Sequence, residues 1–180
     1  MALVTTAGSA SANSYGDEAG ASAYFLATGR QQEWDTAVAG MAESWLLRAM
    51  PFLEAQDYIG MRITTEQALQ FPRVGSTQGQ RRMQISGLSS TYGFYDLRNR
   101  FYASNAIPTP VINAQYEQAL ALAQNRNWSD DRYESQTVAA GDTSIEVRNS
   151  RQLGKLCKLA MLQLDGLLLT GGSVRRLMRS

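Results

Sequence analysis

Apolar positions along this chain recur mainly three and four residues apart, the spacing of helices with one buried face. In "SYGDEAGASAYFLATG", Ala19, Ala23, Leu26 and Ala27 predict a first helix. Ser14 stands as its cap, with Asp17 three residues on as in a capping box, and Gly29 ends it. "EWDTAVAGMAESWLLRAMPFLEAQDYIG" predicts a second, long helix with Asp35 or Thr36 as cap. Its stripe is Val38, Met41, Trp45, Ala49 and Phe52, with Leu46 and Leu53 beside it. Pro51 removes a backbone donor there, which predicts a kink or a short helix restarting at the proline. A third helix opens with Thr109 as cap and Pro110 in first position, and "VINAQYEQALALAQ" is apolar on most sides, as in a helix sandwiched between others. The last, "RQLGKLCKLAMLQLDGLLL", puts Leu153, Leu156, Cys157, Ala160, Leu164, Leu167 and Leu168 on one face and stops at Gly171-Gly172.

Between these helices the pattern changes. After Gly60 a short turn leads into one or two helical turns capped by Thr64 or Thr65, until Pro72 forces Phe71 out of helical geometry. Residues 73–106 mix Gly, Ser, Thr, Gln and Arg with aromatics and read as a long surface excursion, its centre at 77–103. Residues 129–150 are polar, and the weak alternation of "SQTVAAGDTSIEVR" predicts a hairpin about Gly141-Asp142. The expected fold is mainly α. It is a bundle of about four helices with a long aromatic and Arg-rich loop and a small β-hairpin, one domain over residues 1–172, and a basic tail at 173–180.

Composition then removes function classes. The 180 residues include no histidine and one cysteine, Cys157. Ser-His and Cys-His nucleophiles are therefore impossible, as are nearly all zinc sites. Neither a P-loop nor a dinucleotide-binding glycine motif occurs. The acidic pairs Asp17/Glu18 and Asp130/Asp131 are adjacent in sequence, do not converge on one substrate atom, and read as solvated surface. No enzyme, metal or cofactor is expected. Cys157 falls on the apolar face and reads as a packing residue. No apolar run reaches the roughly 20 residues that span a bilayer. The N-terminal stretch lacks the pattern of a secretory signal, and the lone cysteine suits a reducing cytoplasm.

Charge is uneven. Residues 1–70 hold three Arg against eight Asp/Glu, a net of −5; residues 71–180 hold 14 Lys/Arg against eight acids, a net of +6. Acidic and basic halves suit head-to-tail or ring contact between copies, although two ordinary solvated faces would give the same count.

The order of several short motifs resembles one family. "ANSY" (Ala12 to Tyr15), "GASAYFLATG", a long helix, "ALQFPR", "IPTPVINAQYEQALALA" and a closing leucine helix with "GG…VRRL" are similar to the neck proteins of tailed bacteriophages, the head–tail adaptors. A related group carries a DnaT-like single-strand-DNA-binding label. The resemblance implies a non-enzymatic helical bundle in a ring, usually of twelve copies, beneath the portal. It would extend the channel for genomic DNA and join the head to the tail or the next neck protein, in the virion and, during assembly, in the host cytoplasm. It also implies a docking turn at Phe71, Pro72 and Arg73, with Phe71 plugging the bundle and Arg73 at the rim. Pro51 and the length of 77–103 depart from the family pattern.

Two further sets of residues are candidates for contact. In the excursion, Arg81, Arg82, Arg98 and Arg100 are interleaved with Tyr92, Phe94, Tyr95, Phe101 and Tyr102. That mixture suits contact with a neighbouring copy or neck protein, or alternatively a stacking platform for single-stranded DNA. In the tail, Val174, Arg175, Arg176, Leu177, Met178 and Arg179 combine apolar and cationic groups and are expected to dock on the portal.

Overall fold

The computed structural model describes residues 2–75, 93–124, 136–140, 143–147 and 156–169. Among these the protein is mainly helical, as the pattern predicts, with α1 (Glu18–Ala27), α2 (Gln31–Val38), α3 (Ala42–Glu54), α4 (Thr109–Ala123) and α5 (Lys158–Gln163). Three antiparallel strand pairs accompany them: β1 (Met61–Arg62) with β2 (Arg73–Val74), β3 (Gly93–Tyr95) with β4 (Phe101–Ala103), and β5 (Gln136–Ala140) with β6 (Thr143–Val147). The last pair runs from Gln136↔Val147 to Ala140↔Thr143, which agrees with the predicted hairpin; its central residues 141 and 142 lie outside the described residues.

α4 is the axis. It packs against α1, α2, α3 and α5, and its buried positions include Val111, Ala114, Tyr116, Ala119 and Leu120. The sandwiched helix is thus where the apolar pattern puts it. Pro108, rather than Thr109, holds the capping position, and its carbonyl accepts from the amides of Val111 and Ile112. Pro110 then sits in the first turn, where its missing N–H would have had no intrahelical partner.

Ser14 does not cap α1. Its hydroxyl donates to the Gly16 carbonyl at 2.6 Å and accepts from Gln115, so the cap falls to Asp17, which accepts from the Gly20 amide at 2.7 Å. The long second helix is two helices. The chain breaks at Ala39 and Gly40, both left-handed with φ of 45° and 77°, and α3 runs through Pro51 to Glu54. Glycine makes that reversal cheap, whereas Pro51 costs one backbone bond near the end of a helix already held by burial. The break also resets the helical phase. Trp34 and Val38 are buried on α2, and Ala42, Leu46, Ala49, Met50 and Leu53 on α3, while Met41 is exposed and Trp45 and Phe52 are half-buried. The predicted stripe is therefore displaced by about one position.

α5 is shorter than the leucine pattern suggests. Cys157 caps it, its Sγ accepting from the Ala160 amide at 3.3 Å, and the chain turns out at Gly166, where φ is +92°. Leu156, Cys157, Ala160, Leu164 and Leu167 are buried as expected. Burial raises the Cys157 thiol pKa, which fits a packing role. Leu153 and Gly171-Gly172 lie outside the described residues. No helix among the described residues is long and apolar enough to cross a membrane.

Candidate nucleic-acid interface

Residues 63–72 form turns rather than the expected helical turns. The buried Gln67 side chain replaces a helical ladder. It accepts from the amides of Ile63 (3.0 Å) and Thr64 (3.3 Å) and donates to the carbonyls of Leu69 (2.7 Å) and Pro72 (3.2 Å). Phe71 plugs the core as predicted, 1% exposed and edge-on to Tyr58 at 4.8 Å and Tyr15 at 6.0 Å. It precedes Pro72 across a cis peptide bond.

Arg73 is not at the rim. Its guanidinium is turned inward, donating to the carbonyls of Ile59 (2.8 Å), Tyr58 (3.1 Å), Gly60 and Gln70 (3.2 Å) and to the Gln70 side chain (2.6 Å). The reason is the turn at 58–60, whose inward carbonyls need donors in a place where water is excluded. A planar fork with five N–H groups supplies them from one side chain. Burial lowers the Arg73 pKa. Beside it Glu54 accepts from the Tyr15 hydroxyl and the Gln70 amide, and burial raises its pKa. Phe71, Pro72 and Arg73 thus make a structural turn that ties the end of α3 to β2.

β2 leads to the aromatic segment, with the Gly75 amide donating to the Gly93 carbonyl at 3.1 Å. Residues 93–103 are a hairpin rather than a loop, and strand alternation splits the aromatics that look alike in sequence. Phe94 and Tyr102 are cross-strand partners facing the core, with Phe94 2% exposed and its ring 6.3 Å from that of Phe71. Tyr95 and Phe101 are partners on the opposite face, 37% and 51% exposed, with ring centroids 5.2 Å apart. At Gly93 a Cβ would run into the Tyr102 carbonyl and the Phe101 ring, so glycine lets that ring lie close across the strand.

The connecting turn is organised by a residue that the sequence reading passed over. Asp96, buried, accepts from the amides of Arg98 (2.9 Å) and Arg100 (2.8 Å) and from the Arg100 guanidinium (2.7 Å). Arg98 pairs with Asp165, just beyond α5, whose backbone carbonyl also accepts from Arg100 at 3.1 Å. Asp96 followed by Asn99, which takes φ of 62°, is turn composition that could have revealed the hub. Both arginines lie in the turn that joins Tyr95 to Phe101, their side chains about half exposed, and the Arg100 guanidinium is over the Tyr102 ring at 5.9 Å. Arg81, Arg82, Tyr92 and the whole tail from Val174 to Arg179 lie outside the described residues.

Equally unforeseen are the polar residues of α4. Gln115 accepts from the amides of Tyr15 (3.0 Å) and Gly16 (2.9 Å) and donates to Ser14 Oγ (2.7 Å) and the Leu46 carbonyl (3.1 Å). This is what anchors the "ANSY" segment. Two residues on, Glu117 accepts from Arg30 (2.8 Å) and from the Tyr24 hydroxyl (2.8 Å), and burial raises the Tyr24 pKa. Among the described residues no three His, Cys, Asp or Glu are grouped to hold a metal ion.

Residues 1–89 match the family model described as "Putative DnaT-like ssDNA binding protein". The matched span takes in α1 to α3 and the Arg73 turn and stops before β3. It carries the single-strand-DNA label of the expected resemblance and says nothing of a phage neck. No curated relative and no solved structure matches the chain.

Proposed function

We propose that this chain is a non-enzymatic binding protein that holds single-stranded DNA on the outer face of β3–β4. The observation that carries the reading is the exposed Tyr95–Phe101 pair, joined by a turn that carries the half-exposed Arg98 and Arg100. Bases of any identity can stack on such rings while guanidinium groups meet the phosphates. The match of residues 1–89 to a family described by single-strand DNA binding supports the same ligand, and the Gly75–Gly93 bond and the Phe71–Phe94 contact seat the ribbon on that half of the chain. Each stacked base is worth about 1–3 kcal/mol. Phe101→Ala should therefore weaken binding of a labelled oligothymidylate, read by fluorescence anisotropy, by roughly fivefold or more. Phe101 is exposed, so the variant should keep its melting temperature. Equal affinity of variant and wild type would refute the reading.

A second reading is the ring-forming neck adaptor, whose partners are further copies, the portal protein and the next neck or tail protein, in the virion. A different observation favours it. Leu97, Leu159, Met161, Leu162 and Leu169 are all at least 42% exposed, and aliphatic exposure of that extent suits protein contact better than nucleic acid. Its test is the sedimentation mass of the purified chain and its binding to portal-containing heads. A monomer that ignores such heads would refute it.

A further inference from the structure

The ribbon's arginines are held by acids, and the two holding arrangements differ. Arg100 is fixed from two sides, by the buried carboxylate of Asp96 on its Nε and by the backbone carbonyl of Asp165 on its NH2. Arg98 has its guanidinium on the Asp165 carboxylate, and both members of that pair are more than half exposed, at 58% and 51%. Asp96 orders the turn through backbone amides and cannot leave without dismantling it. The hydrogen bond of Asp165 to Arg100 comes through its carbonyl, and its carboxylate acts on Arg100 only at a distance. The pair is also well positioned. Gly166, at φ +92°, follows Asp165, and a Cβ there would sit 3.2 Å from Arg98 Cγ, so the arginine stem lies directly over this turn. The Gly166 carbonyl in turn accepts from the Leu97 amide at 2.9 Å, which locks the turn after α5 to the ribbon.

From this we infer that Asp165 is a built-in competitor for the phosphate that Arg98 would otherwise bind, an electrostatic brake on the single-strand site. The inference rests on the ribbon being that site. A phosphate that meets Arg98 in the turn between Tyr95 and Phe101 has to displace the Asp165 carboxylate from it and approach its negative charge. The exchange is close to even, because one exposed ion pair replaces another. Arg98 then adds little affinity or salt dependence in the wild-type protein. Neutralising Asp165 removes the competitor and keeps the hydrogen bonds of Arg100, the Asp96 hub and the rings.

The test compares wild type, Asp165→Asn, Arg98→Gln and the double variant of the full chain, with labelled oligothymidylate in anisotropy titrations at several salt concentrations. Asp165→Asn should bind about two- to fivefold more tightly at low salt, the range an exposed ion pair is worth. One more phosphate contact on a single strand steepens the salt slope by about 0.7, so between 50 and 200 mM salt the variant should lose roughly 2.6-fold more affinity than wild type. In the Arg98→Gln background the same substitution should add no slope, which separates release of Arg98 from a general change in charge. Unchanged affinity and slope in Asp165→Asn, with Phe101→Ala still weakening binding, would overturn the brake and leave the site standing. Absence of binding by every variant would overturn both. Binding by Asp165→Asn alone would establish both.

Discussion

Replacing Arg73 by methionine keeps much of the side-chain length and removes every donor. In the native protein the guanidinium serves the carbonyls of Tyr58 and Ile59, residues only 3% and 5% exposed, as well as Gly60 and Gln70. A buried carbonyl left without a partner costs about 1–3 kcal/mol, so the two most enclosed groups lose about 2–6 kcal/mol between them. Part of this is offset because a buried cation, whose pKa burial already lowers, no longer has to be kept from water. The expected net loss is about 2–4 kcal/mol, a large share of the 5–15 kcal/mol typical of a domain. Urea unfolding followed by circular dichroism should show it as a lower midpoint at unchanged m-value. Arg73→Lys should recover only part, since an ammonium has three donors and cannot span the fork. A methionine variant within about 0.5 kcal/mol of wild type would refute the clamp, because that is the scatter of ordinary surface changes.

Gln115→Leu should lower stability by about 3 kcal/mol or more, since it strips partners from two amides, a carbonyl and a hydroxyl in the core; loss of amide-exchange protection at Tyr15 and Gly16 is the specific readout, and unchanged protection would refute it. Glu54 is governed by burial, which raises its folded pKa above the ordinary value of 4.5. Its stabilising contribution is then complete below that value and is lost as pH rises through the folded pKa. Thermal melts of Glu54→Gln should therefore improve relative to wild type on going from acid to neutral pH, and a difference independent of pH would contradict the assignment.

Some of this molecule was legible in one dimension. The proline-started central helix and the strand pair flanking residues 141 and 142 rest on local rules, and each appears where those rules put it. The absence of histidine likewise removed whole chemistries from composition alone. Tertiary structure decided the rest. The long second helix was divided at Ala39-Gly40, where both residues take left-handed φ, while α3 runs on through Pro51. Arg73 looked like a rim charge because nothing local shows that the carbonyls at 58–60 face inward, some fifteen residues away. Four of the five aromatics of the excursion looked alike until strand pairing sent Phe94 and Tyr102 to the core and Tyr95 and Phe101 to the surface. Asp165 lies 67 residues from Arg98, and sequence spacing carries no information about a charge pair made only when α5 docks beside the ribbon.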